Sequence, residues 1–65
     1  MDQIKIGKFI ASMRKEQSMT QRQLADVLNI SDKTVSKWEC GNGMPEVALM
    51  LPLCEVLRIN VNELL

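Results

Sequence analysis

The apolar residues of this chain fall into helical spacing almost from its start. Ile6, Phe9, Ile10 and Met13 recur at i, i+3, i+4 and i+7, one face of a first helix. Lys5, Lys8, Ser12 and Lys15 fall on the opposite, wet face, and Gln17 and Ser18 end the pattern. A second helix is marked by local chemistry as well as by period. Thr20 is a good N-cap, and Gln23 three residues later completes a capping box. Met19 and Leu24 stand at the two positions of a hydrophobic staple. These signals predict a helix from about Gln21 to Leu28 that buries Leu24, Ala25 and Leu28. Asn29 follows, a residue type that tolerates the left-handed backbone of a tight turn.

Ser31 is the next N-cap, for a third helix running to about Glu39. Gly41 and Gly43 break the chain after it, and Pro45 bars an immediate restart. A fourth helix is predicted over about Glu46 to Leu57, with Met50, Leu53, Cys54 and Leu57 facing inward. Glu46 is a weak cap, and Pro52 removes the hydrogen bond to the Ala48 carbonyl, so a kink or an irregular first turn is expected. Asn60 and Glu63 form a second capping box, with Ile59 and Leu64 as its staple, and open a short final helix. No stretch alternates with period two. The expectation is one all-α domain over residues 1–65, five helices and no sheet.

Only Asn29, Ile30 and Ser31 separate the second and third helices. Two short helices on so tight a turn make a helix-turn-helix candidate over about residues 20–39. Ala25 is placed at the contact, where a larger side chain would push the pair apart. At about 100° per residue, Val35 and Trp38 group with Ser31 as the expected inner face of the third helix. Lys33, Ser36 and Lys37 fall opposite, with Asp32 at one edge and Thr34 on the other flank. Such a helix, held by two large apolar residues and polar toward solvent, has the form of one that lies in the major groove of DNA.

Composition narrows the function classes. Apolar residues make up 46% of the chain, which fits a packed globule. The longest apolar run, Val47 to Cys54, is too short to span a bilayer and is interrupted by Pro52. The N-terminus is polar and carries no signal peptide pattern, so reduced thiols and a cytoplasmic location are expected for Cys40 and Cys54. Two cysteines and no histidine leave no four-ligand zinc set. Nor is there a histidine to serve as general base or to activate a nucleophile. No catalytic residue, metal or cofactor is therefore expected, and the chain does not read as an enzyme. Net charge is zero, with eight basic and eight acidic side chains, a poor overall signal for nucleic acid. The distribution differs: residues 1–44 are net +2 and residues 45–65 net −2, so any anion-binding face belongs to the first two thirds.

The run Q-x-x-L-A-x-x-L-x-I-S-x-x-T-V-S-K-W-E-x-G, from Gln21 to Gly41, resembles the helix-turn-helix of the phage Cro and repressor type, also called the xenobiotic response element family. Arg14, Lys15 and Glu16, the later Pro45, and the closing L-R-I-N-V-N-E-L-L from Leu57 to Leu65 extend the resemblance over nearly the whole chain. It implies a compact five-helix bundle of the lambda-repressor-like type, and sequence-specific binding of double-stranded DNA by a bacterial or phage transcriptional regulator. It implies a phosphate contact and a bracing role for Gln21. Ser31 and Asp32 would enter the groove first, Lys33 and Lys37 would reach base edges, and Thr34 and Ser36 would touch phosphate or bases. The loop at Asn42 and Gly43 would offer backbone N–H groups to a phosphate. Arg14 and Glu39 match a bridge between the first helix and the end of the third, while Ala25, Val35 and Trp38 hold the pair together. Cys40 departs from the family pattern, standing where a side chain able to contact the DNA backbone is common.

Other readings stand beside these. Two lysines alone describe any solvated helix face. Asp32 gains from the helix dipole without any function, or accepts from cytosine N4. Trp38 at helical spacing from Val35 is core rather than a stacking platform. A homodimer on two half-sites is expected, with Leu64 and Leu65 exposed at its interface or at a junction with a further C-terminal domain. The rival function is a protein-interaction module of the same fold, such as an antitoxin or adaptor, which zero net charge favours.

Overall fold

The computed structural model describes residues 2–64. In chain order these form α1 (Gln3–Glu16), α2 (Gln21–Leu28), α3 (Asp32–Glu39), α4 (Val47–Leu57) and α5 (Val61–Leu64). No strand occurs among the described residues, so the all-α, five-helix expectation matches the architecture.

Side-chain caps mark where α1, α2, α3 and α5 begin, and one backbone motif marks where α1 to α4 end. Asp2 opens α1, its Oδ1 accepting from the backbone N–H of Ile4 at 3.0 Å and of Lys5 at 3.3 Å. The Thr20–Gln23 box forms in both directions, with Gln23 N–H to Thr20 Oγ1 at 3.0 Å and Thr20 N–H to Gln23 Oε1 at 2.8 Å. Ser31 Oγ accepts from Thr34 N–H at 3.3 Å. The Asn60–Glu63 box closes in the same reciprocal way ahead of α5. Helices α1 to α4 then share one ending, the Schellman motif, in which a left-handed residue lets two N–H groups return to the last carbonyls. The left-handed residues are Ser18, Asn29, Gly41 and Arg58. Asn29 was legible as such. Ser18 and Arg58 adopt the same backbone at a steric cost of about 1–2 kcal/mol, offset by the carbonyls that the motif satisfies.

The buried core takes one or more residues from every helix: Ile6 and Ile10, Leu24, Ala25 and Leu28, Val35 and Trp38, Leu53, Cys54 and Leu57, and Leu64. Helix α3 packs against both α1 and α2, α4 against α2 and α1, and α5 closes on α1 and α4. Each large side chain fully withdrawn from water contributes about 1.5–3 kcal/mol, so the loss of any one matters in a core this small.

Three expectations need correction. Leu64 is 3% exposed and belongs to the core, because α5 folds back onto α1 and α4 rather than projecting from the chain end. Leu65, paired with it in that expectation, lies outside the described residues. Ser31 is exposed rather than part of the inner face, since it precedes the first helical residue and its hydroxyl turns back to cap α3. Helix α4 begins at Val47, one residue later than expected. Glu46 takes the cap position without a side-chain bond, and Met50 is only half-buried. Helix α4 continues through Pro52, which faces solvent.

Candidate nucleic-acid interface

The C-terminal end of α3 is gripped from two other helices. Glu39 closes the helix, where its charge opposes the helix dipole and needs another source of stabilisation. That source is Arg14 of α1. Its Nε donates to Glu39 Oε2 at 2.7 Å and its Nη2 to Oε1 at 3.0 Å, a fork-to-fork pair. The third arm, Nη1, donates to the Met19 carbonyl at 2.7 Å, tying the α1–α2 turn to the same point. Gln21 Nε2 adds a bond to Glu39 Oε1 at 2.9 Å. Side-chain exposures of 10% and 7% make Arg14–Glu39 a buried pair rather than a surface one. The hydrogen bonds to Glu39 raise the Arg14 pKa against the opposing effect of burial, so the guanidinium stays charged.

A second contact fixes the same end. A Cβ on Gly7 would lie 2.0 Å from the Trp38 carbonyl oxygen, so only glycine lets α1 approach the last turn of α3 this closely. Sequence reasoning passed over Gly7. Its signal was an isolated glycine inside a helical pattern, which commonly has a packing reason. Gly41 is doubly required, by its φ of 78° and by Ile4, whose Cγ1 would stand 2.8 Å from an added Cβ. Asp2, the cap of α1, and the Met19 carbonyl were also missed.

The opposite face of α3 is open. Asp32, Lys33 and Lys37 are exposed, Thr34 and Ser36 half-buried, while Val35 is fully buried and Trp38 nearly so. The Ser31 and Thr34 hydroxyls share a hydrogen bond of 3.1 Å. Gln21, at the start of α2, is half-buried and divided: one amide hydrogen is spent on Glu39, leaving the other and its carbonyl free. The loop expectation needs adjustment. The Asn42 N–H donates to the Lys37 carbonyl at 2.9 Å as part of the α3 Schellman motif, so it is not free for a phosphate. The Asn42 side chain remains exposed.

The thiols are separated. Cys40 is exposed at the end of α3, whereas Cys54 is buried, and burial, with a smaller push from Glu63, raises its pKa. Among the described residues no group of three His, Cys, Asp or Glu converges as a metal set would. No described helix is long and apolar enough to cross a membrane. A cleft of about 310 Å³ lies elsewhere, lined by Asp2, Lys5, Ile6, Phe9, Glu63 and Leu64, and shares no residue with the α3 face.

A helix-turn-helix family model matches residues 10–64. The chain belongs to that family, in its Cro and repressor branch. The helix-turn-helix domain is 34% identical over 61 residues to the cryptic phage CTXphi transcriptional repressor RstR of Vibrio cholerae, covering 94% of this chain and 54% of that protein. It is 42% identical over 53 residues to the transcriptional regulator DicA of Escherichia coli, covering 82% and 39%. It is 32% identical over 62 residues to the transcriptional activator BcrR of Enterococcus faecalis, covering 95% and 30%. The chain thus spans about half or less of the length of these relatives. Its fold is that of the clp gene regulator ClgR from Corynebacterium glutamicum, with a TM-score of 0.88 at 23% identity over 98% of this chain and 68% of that one.

Proposed function

We infer that residues 1–65 form the DNA-binding domain of a cytoplasmic transcriptional regulator that lays α3 in the major groove of double-stranded DNA. The observation that carries this reading is the contrast on α3. Its inner side and C-terminal end are clamped by Arg14, Gln21 and Gly7, while Asp32, Lys33 and Lys37 stand exposed on the other side. A clamped helix presents those side chains in a fixed register, which base reading requires. Lys33 and Lys37 reach guanine O6 and N7. Ser31, Thr34 and Ser36 contact phosphate or base edges, and the free amide hydrogen of Gln21 and the Asn42 side chain meet phosphates. The domain acts without catalysis, metal or cofactor.

A neutral domain neutralises few phosphates and binds weakly alone. It therefore acts as a homodimer on half-sites about 34–36 Å apart. With Leu64 in the core, the surface that suits a second copy is α4. Val47 and Leu51, one turn apart, are 90% and 64% exposed, and no charged side chain occurs from Val47 to Cys54.

The test is selection of duplexes from a randomised pool at low salt, followed by anisotropy titrations at rising salt. A consensus with a log-linear loss of affinity supports the reading. The absence of any consensus contradicts it and turns attention to a protein partner, the role that a protein-interaction module of this fold would have.

A further inference from the structure

We propose that Asp32 reads a cytosine, so that this one carboxylate sharpens the sequence preference of the domain and lowers its affinity for other DNA. The inference rests on the reading of α3 as the helix that faces the bases. The other acidic side chains within the helix-turn-helix, residues 20–39, have partners. Glu39 is held by Arg14 and Gln21, and Asp26 pairs with Arg22 at 3.5 Å. Asp32 is exposed at the first position of α3 and takes part in none of the hydrogen bonds or ion pairs among the described residues. It is not the cap either, because Ser31 Oγ already accepts the Thr34 N–H.

A free carboxylate on a DNA-facing helix is repelled by the phosphates, and it can only accept hydrogen bonds. The groove edge it meets must therefore donate. Guanine shows two acceptors there, and thymine an acceptor beside its methyl group. Adenine offers its N6 amine, but the neighbouring N7 acceptor repels the second carboxylate oxygen. Cytosine shows its N4 amine with no acceptor on the same base. Asp32 is thus attracted to one edge and repelled or poorly matched by the other three, which is how an interface discriminates by penalising wrong partners.

The experiment uses the 65-residue chain and the variants Asp32→Asn and Asp32→Ala, with duplexes selected by the wild type. Anisotropy titrations compare the selected duplex with duplexes in which each C·G pair in turn is replaced by T·A, and the pair assigned to Asp32 is the one at which Asp32→Asn removes the preference. The wild type is expected to lose about tenfold in affinity on that replacement. Asp32→Asn binds both duplexes alike, because an amide both donates to thymine O4 and accepts from cytosine N4. Asp32→Ala binds unselected DNA more tightly than the wild type does. Circular dichroism melts confirm that both variants fold, as the exposed position predicts. A consensus without any C·G pair overturns the proposal, and so does an Asp32→Asn variant that keeps the wild-type preference at every C·G pair. In either case DNA recognition by α3 still stands. If the wild type selects no consensus at all, the reading of α3 fails and this proposal falls with it.

Discussion

The two ends of α3 are built differently. At its C-terminal end a buried arginine, a glutamine, a turn carbonyl and a glycine-sized gap converge on Glu39 and Trp38. At its N-terminal end the side-chain hydrogen bonds are local, the Ser31 cap and its bond to Thr34, and Asp32 and Lys33 are exposed. The difference separates two tasks that one eight-residue helix must perform. Placement is assigned to the end that other helices reach, where polar groups are desolvated and have to be paired. On the proposed reading of α3, recognition of bases falls to residues that touch little else in the protein, so they can be changed without unfolding the domain. This comparison also explains an acid at a helix C-terminus. Glu39 works against the dipole, and its use lies in drawing α1 and α2 to one point.

Breaking the placed end should have the largest effect. Arg14→Ala leaves Glu39 desolvated and without its charge partner, at a cost of about 3–5 kcal/mol. At about 4–8 °C per kcal/mol for a domain this small, thermal unfolding followed by circular dichroism should fall by at least ~12 °C. Gly7→Ala comes next. On an open helix this change would stabilise by about 1 kcal/mol. Here the added methyl overlaps the Trp38 carbonyl, so urea denaturation should show a loss of about 1–3 kcal/mol. A gain in stability would mean that α1 and α3 do not meet this closely.

At the reading end the effects on folding shrink. Ser31→Ala removes the cap of α3 and should lower stability by about 1 kcal/mol in the same assay. The double variant Lys33→Ala/Lys37→Ala should change stability by less than about 0.5 kcal/mol. Its affinity for a selected duplex should nevertheless fall by about 1–3 kcal/mol for each lysine that reads a base. A variant with unchanged binding, or with lowered stability, would erase the distinction between the two ends.

The sequence revealed most where structure is decided locally. The start of α2 and the turn from α2 to α3 were legible because Thr20 and Gln23 at the one, and Asn29 and Ser31 at the other, act on backbone groups within a few residues. Burial of Leu24, Val35 and Trp38 followed from period alone. What escaped depended on contacts distant in sequence. Gly7 is explained by Trp38, 31 residues away in the chain. Leu64 is buried because α5 docks on α1 and α4, which a four-residue helix does not announce. In α4 the expected inner residues Leu53, Cys54 and Leu57 are buried, but apolar residues run almost all the way round, so the exposure of Val47 and Leu51 was not announced by their type and Met50 was placed too deep. Arg58 offered no sign of its left-handed backbone, since arginine has no preference for it.

The most direct test of the account is a titration of the 15N-labelled chain with a selected duplex, following backbone amide shifts residue by residue. The account predicts that the largest changes fall on residues 31–37, with smaller ones at Gln21 and Asn42, while amides of the buried core from Leu53 to Leu57 stay in place. Changes centred instead on α4 around Val47 and Leu51, with α3 unmoved, would contradict it and assign the binding surface to the apolar helix.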